Sequence, residues 1–327
     1  MRHNYIFVAI FILLAVSCHD KKEFKEERDK IKFFGIKSCT TFDYDSNSSK
    51  KDTNRTKEEK KVYDINGNII EDIFYNTDGS VYNRNVFFYN KDQNETEHVI
   101  YNSMGNIINT ISTTYDDNGN KIEVNNYGLN KKIEYQEKNR YDKKNHRIES
   151  MIYNSDGTVN LTSSKYDNKG LEIENIEYKS DGSIDTRYVY NYDINRRLIE
   201  SISYNQDGDI QNDIVYKYDK NGNEISNVNY DKTKRIAMSV ETSYDSKGRV
   251  IQIITKNEDG SIEKENTKYD SDSNPTEKIT FKNNVESSKL IFKYNNKGLL
   301  IETVEVSPQD KTENRRKFEY SFYNSKK

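Results

Sequence analysis

The chain has 327 residues, 33% of them hydrophobic and 32% charged, with a formal net charge of -3 and a mean hydropathy of -1.05. That is too little apolar material for two or three domains with thick cores, and no electrostatic footprint for nucleic acid. Such a composition suggests disorder, yet 26 tyrosines and 13 phenylalanines recur in register. A repeat fold whose thin core is shared between neighbouring units accounts for both observations.

The amino terminus, "MRHNYIFVAIFILLAVSC", has a short basic start (Arg2, His3) and an apolar run from Tyr5 to Val16. That run is short of the roughly 20 residues a spanning helix needs, so residues 1–17 are expected to be a signal peptide. "LAVSC" resembles the bacterial lipobox, with Ala15 where that pattern prefers leucine. The resemblance implies a lipid anchor at Cys18, attachment to a bilayer, and a place in the bacterial cell envelope, on the outer membrane. An ordinary signal peptide is the alternative. Residues 18–32 are charged, without Gly or Pro, and are expected to be a solvated tether, helical in part. Cys39 lies on an expected strand as a buried free thiol, since no nearby histidine could activate it.

Residues 33–62 are expected to supply amino-terminal cap strands. From Tyr63 a repeat takes over. Tyrosine occupies Tyr63, Tyr89, Tyr115, Tyr141, Tyr166, Tyr192, Tyr218, Tyr244, Tyr269 and Tyr294, each step being 25 or 26 residues. Asp or Asn follows each one, often with glycine four residues on, as in "YDKNGN". Twelve residues later comes a second series, Tyr75, Tyr101, Tyr127, Tyr153, Tyr178, Tyr204, Tyr230, Lys256, Phe281 and Val306, many of them introducing "DG" turns. Asp-x-x-Gly suits a type I turn with a G1 bulge: the acid caps the turn and glycine supplies the positive φ. Two turns per repeat give two strands, and residues 63–306 become an antiparallel meander, capped by a last strand in residues 307–327. The expected fold is all-β, about 20 strands, curled or spiralling because long flat sheets are unusual. Left open, it would extend about 100 Å at ~4.8 Å per strand.

Closing the turn pairs Tyr218 with Glu224. Simple alternation would then put Ser226, Val228 and Tyr230 on the tyrosine face, and an isoleucine stripe (Ile70, Ile122, Ile148, Ile173, Ile199, Ile225, Ile251, Ile301, with Thr96 and Thr276) on the other.

"YDINGNI", "YDNKGLE", "YDSKGRV" and "YNNKGLL" resemble the YD repeats of the Rhs family over about residues 55–325. The resemblance implies a spiralling sheet or hollow shell and a carbohydrate-binding role. The period is somewhat longer than usual, and the chain ends soon after the repeats, so a lipoprotein form without a toxin domain is expected.

Glutamate stands eight residues after the first tyrosine in eight repeats: Glu71, Glu97, Glu123, Glu149, Glu174, Glu200, Glu277 and Glu302. This ladder could attract cations or sugar hydroxyls, but pairing with side chains on intervening strands is the simpler expectation. It singles out no acid and base pair for glycoside hydrolysis. The oxygen-rich turn Asp64-Ile65-Asn66-Gly67-Asn68 lacks the distal glutamate of a calcium loop, and the scattered histidines hold no zinc. No metal, no cofactor and no catalysis are therefore expected, because repetition spreads like residues where an active site needs unlike ones. The expected function is a binding or scaffold surface, for another envelope protein in the first instance. The alternative is glycan binding, with Tyr153, Tyr178 and Tyr204 stacking on sugar rings and Glu149, Glu174 and Glu200 bonding hydroxyls.

Overall fold

In the repeat around Tyr218, Asp219 Oδ1 accepts the backbone N–H groups of Asn221 and Asn223 at 2.8 and 2.9 Å. The Gly222 N–H returns to the Asp219 carbonyl at 3.1 Å. Gly222 holds φ +91°, a backbone conformation that costs other L-residues roughly 1–2 kcal/mol. The same turn recurs along the chain and sets the strands in antiparallel order. The computed structural model describes residue 25 and residues 27–44, 55–309 and 312–324; the signal-peptide and Cys18 expectations fall outside them.

Among the described residues twenty-two strands follow one another, each hydrogen-bonded to the next. The expectation of an open, curled sheet is corrected by the first and last strands. β1 (Ile36–Tyr44) pairs with β2 (Arg55–Tyr63) along one edge and with β22 (Thr312–Phe322) along the other. The segments expected to cap two free edges join them instead, and the sheet is a closed antiparallel barrel. Closure satisfies the edge N–H and C=O groups that an open sheet exposes. A circular ring of this size, with strands tilted by about 40°, would measure on the order of 40 Å across, so one short helix cannot fill it.

The face assignment needs a second correction. Tyr218 does pair with Glu224, but the next pair is Lys217 with Ser226, which leaves Ile225 as an extra residue. The other nine first-series hairpins do the same, and the extra residue is always a member of the isoleucine stripe: Ile70, Thr96, Ile122, Ile148, Ile173, Ile199, Ile251, Thr276 or Ile301. A bulge advances the strand by one residue and exchanges its faces. Ser226, Val228 and Tyr230 therefore share a face with Lys217, Val215 and Asp213, opposite Tyr218 and Tyr216.

Bulges also explain the two step lengths. The second hairpins of 26-residue repeats carry a further register shift, for example at Glu177/Tyr178 before the Asp181-Gly182 turn. The hairpins between Arg147–Asn154 and Val159–Tyr166, and between Val250–Asn257 and Ile262–Tyr269, have none, and each lies in a 25-residue step. The third short step keeps its bulge but shortens the turn to Asn283 and Asn284, both at positive φ.

The two faces differ in crowding. Burial raises the phenols of Tyr188, Tyr192 and Tyr216, the last two to about 12, and likewise the carboxyls of Glu95 and Glu177. All lie on the face of the first tyrosine series. On the opposite face Glu174 and Glu277 are lowered by lysine and arginine partners. The concave side of a closed wall is the crowded one, so the first tyrosine series faces inward.

Those tyrosines fasten repeat to repeat. Tyr218 donates its hydroxyl to the Leu198 carbonyl at 2.7 Å, Tyr89 to Ile69, Tyr115 to Glu95 and Tyr244 to Glu224. At the join Tyr320 donates to Leu300 at 2.8 Å, and Tyr323 donates to Tyr63. Helix α1 (residues 27–34) packs on the inner face at this join. Ile31, Ile36, Tyr63 and Leu299 form the hydrophobic cluster there, with Ile36 only 1% exposed. Part of the expected tether is thus a docked helix: Ile31 and Phe34, one turn apart, turn the same way. Gly67, at φ +86°, leaves room for the Arg28 carbonyl where any Cβ would collide.

Candidate binding surfaces

The outer wall carries the six side chains expected to bind a glycan. Glu174 is 9% exposed and is held by Lys165 and by Arg187, whose Nε lies 2.6 Å away. The Arg187 guanidinium also lies 5.5 Å from the Tyr204 ring centre, so Glu174, Arg187 and Tyr204 form one chain across neighbouring strands. Glu149 pairs with Arg140 at 3.3 Å, and Glu200 accepts the Asn191 amide at 2.6 Å. The Tyr178 hydroxyl lies 3.2 Å from that of Ser163. Tyr153 is 38% exposed, with its hydroxyl on the Met151 sulfur and Lys138 Nζ 5.8 Å from its ring. The six residues share one face but are engaged with their own neighbours.

Three more members of the glutamate ladder pair with cations, and Glu123 accepts the amides of Asn125 and Gln136. Glu277 sits between Lys268 and Lys289 at 2.7 and 2.6 Å, and Glu302 between Lys293 and Arg315, both at 3.1 Å. Glu71 is bound by Arg84, which leans over Tyr101. A carboxylate between two cations has little left for a sugar hydroxyl or a metal ion. Asp64 is spent too, on the backbone N–H groups of Asn66 and Asn68 and on the Asn68 amide.

The outer wall leaves much of the isoleucine stripe uncovered, along with Phe88, Ile107, Ile133 and Ile236. Ile122, Ile173, Ile199, Ile225, Ile251 and Ile301 are each 37–38% exposed. The bulge pushes them out beside the glutamate column, and the repeat returns them on every second strand. Thr96 and Thr276 occupy the same position and donate to the Phe88 and Lys268 carbonyls, each at 3.3 Å.

The inner face at the join is different in kind. β2, β3 (Ile69–Tyr75) and β4 (Val81–Tyr89) set Lys61, Asp72 and Asn85 directly opposite one another, with Glu59 and, from β5 (Glu95–Asn102), His98 diagonally beside them on the same face. Glu59 pairs with Lys61 at 3.1 Å. Burial, with nearby Glu59, pushes Asp72 up to about 6. His98 lies 3.1 Å from the Asn85 carbonyl oxygen and stacks on Phe87 at 4.4 Å; burial lowers its pKa. The Cys39 thiol, raised by burial to about 11, stays protonated at neutral pH beside Tyr320. Reading the repeats for their consensus passed over this cluster. Its residues stand in columns of mixed composition, Lys61 with Phe87 and Tyr190, and Asp72 and His98 with Asn175 and Lys278. Among the described residues, no three or more His, Cys, Asp and Glu side chains converge as metal ligands.

No family model matches the chain, and no curated protein matches it. Among solved structures it is similar to the TcdB2-TccC3-Cdc42 complex, with 14% identity, TM-score 0.41, and coverage of 79% of this chain and 16% of the other. It is also similar to the Photorhabdus luminescens Tc holotoxin pore, with 13% identity, TM-score 0.32, and coverage of 84% and 18%. The chain thus spans less than a fifth of these toxin chains. A porin-like protein from Bacteroides uniformis is similar at 10% identity and TM-score 0.31, with coverage of 88% and 98%. Nothing about activity follows from likenesses this distant.

Proposed function

We propose that this chain is a non-catalytic cell-envelope protein, anchored through a lipid on Cys18, whose barrel offers its outer wall to another protein. The observation that carries this reading is the exposed isoleucine belt on a wall whose charged and aromatic side chains already pair with one another. Apolar side chains repeated around a surface suit a protein contact, where each would be desolvated in turn. The glycan alternative has less support, because a cation leans over Tyr204 and another approaches Tyr153. The YD-repeat resemblance remains part of the proposal and brings no toxin activity with it.

The anchor, in this reading, is the lipid and not the barrel wall. Charged side chains stand within strands on both faces, Lys61, Glu59 and Asp72 inside and Arg84, Arg187 and Lys289 outside. An arginine facing lipid at mid-bilayer costs about 2–4 kcal/mol, and a lipid-exposed barrel needs an apolar band about 25 Å tall.

The test is affinity capture from envelope extract with wild type and with Ile173→Ser, Ile199→Ser and Ile225→Ser combined, beside a glycan array. Capture of a specific protein that the triple variant loses while still folded is the expected result. Glycan binding abolished by Tyr153→Ala, Tyr178→Ala and Tyr204→Ala would move the assignment to the alternative. Labelling with a fatty acid should mark wild type and not Cys18→Ser.

A further inference from the structure

A cavity of about 450 Å³ opens between α1 and the inner wall, lined by Ile31, Tyr63, Ile69, Phe87, Tyr89 and Glu95. We propose that it is a binding site for a small organic cation, an ammonium bearing apolar or aryl substituents. Three observations point the same way. Tyr63, Phe87 and Tyr89 come from adjacent hairpins and present aromatic surface to one space, and the negative faces of aromatic rings attract cations, most strongly where water is excluded. Glu95 closes that space with a carboxyl that makes no hydrogen bond or ion pair with any described side chain. Its neighbours use only its backbone: the Glu95 carbonyl accepts the Tyr115 hydroxyl at 2.7 Å. On the outer wall, by contrast, Glu71, Glu149, Glu174, Glu277 and Glu302 are met by lysine or arginine. Burial raises the Glu95 carboxyl, with Lys121 pulling the other way.

The helix completes the site. Lys25, Glu27 and Arg28 also line the cavity, and with Glu95 their formal charges cancel, so no net field favours an anion. Arg28 packs by its backbone and Cγ against the Gly67 turn, which places the helix over the opening. The volume exceeds what a bare ammonium or a metal ion would fill, and the aliphatic Ile31 and Ile69 favour substituents that shed water.

The experiment uses the full chain, with benzyltrimethylammonium as the cationic probe and phenylacetate as an anion of similar ring size. Binding is followed by titration calorimetry and by ligand-observed NMR. The cation is expected to bind at least tenfold more tightly than the anion. Glu95→Gln, which keeps the shape of the side chain, should weaken the cation at least tenfold and leave the anion unchanged or stronger. Glu149→Gln on the outer wall should leave both unchanged. Equal binding of the two probes to wild type overturns the proposal without recourse to any variant. Cation binding that persists in folded Glu95→Gln overturns it as well.

Discussion

The ten-repeat wall and the join where β1, β2, β22 and α1 meet hold together by different physics. The wall has almost no core: its strands are fixed by capped turns, tyrosine hydroxyls donated to a carbonyl in the preceding repeat, and outer ion pairs. Each such contact contributes on the order of 1 kcal/mol or less, and the stability of the wall is their repetition. The join has the Ile31, Ile36, Tyr63 and Leu299 cluster together with buried, unlike ionisable groups. A ring can be built from small uniform contacts everywhere except where its two ends must recognise each other. That place needs a contact found nowhere else among the described residues.

The largest effect should come from Ile36→Ala. Its side chain is only 1% exposed, and truncating a buried isoleucine costs about 2–5 kcal/mol. Calorimetry should show the loss, and small-angle scattering should show a wider particle as the ring opens. Ile225→Ala, its counterpart on the wall, should change neither measurement appreciably. Equal losses at the two sites would erase the distinction between join and wall.

The next difference is in the direction of the pH response. Turn aspartates such as Asp116, Asp193 and Asp245 are lowered by hydrogen bonds to their own turns, and Asp231 falls to about 2, chiefly through the Thr233 hydroxyl. A carboxyl lowered on folding stabilises above its unfolded pKa, near 3.9, and that contribution is lost as pH falls through the folded value. Asp72 has the opposite sign. Raised to about 6, it binds more protons folded than unfolded between pH 4 and 6, so its contribution declines as pH rises through that window. Asp72→Asn should therefore raise the melting temperature at pH 7 and flatten its slope between pH 4 and 6. Acid unfolding below pH 4, followed by tyrosine circular dichroism, should be unaffected.

Smaller effects should come from the wall itself. Gly222→Ala meets no atom within 4 Å, so its cost is the positive φ alone, about 1–2 kcal/mol. Tyr218→Phe, which removes the bond to the Leu198 carbonyl, should cost about 0.5–1.5 kcal/mol. Combined with Tyr115→Phe, several strands away, it should be additive, as expected of sites without shared partners.

The wall was largely legible in the sequence because its causes are local. Asp219 and Gly222 specify a turn whatever the rest of the chain does, and the columns of Tyr and Glu follow from it. The bulge at Ile225 was not legible, since strict alternation gives an equally regular pattern; the steps of 25 and 26 residues trace only the other bulge, at the second tyrosine series. Closure could not be read either. It depends on twist accumulated over twenty strands and on Ile36 meeting Leu299, residues with no relation in the repeat. The outer candidate residues were placed on a common face, yet their partners, Arg187 and Lys138, belong to columns of mixed composition and gave no warning. The inner site around Glu95 went unseen because Tyr63 and Tyr89 belong to the repeat itself and the Glu95 column also holds Glu172 and Glu224; it is the docked helix that sets this place apart.

The first-series tyrosine hydroxyls from Tyr89 to Tyr294 all point backwards along the chain, and each reaches only as far as the preceding repeat. Girth is therefore not written into any one contact. Inserting a unit of 26 residues anywhere between Tyr89 and Tyr269 would extend the series by one link and leave the join's chemistry as it was. Gene duplication could then enlarge the bore in steps of two strands, roughly 10 Å of perimeter each time, making the diameter of such barrels a quantity that evolution adjusts by counting.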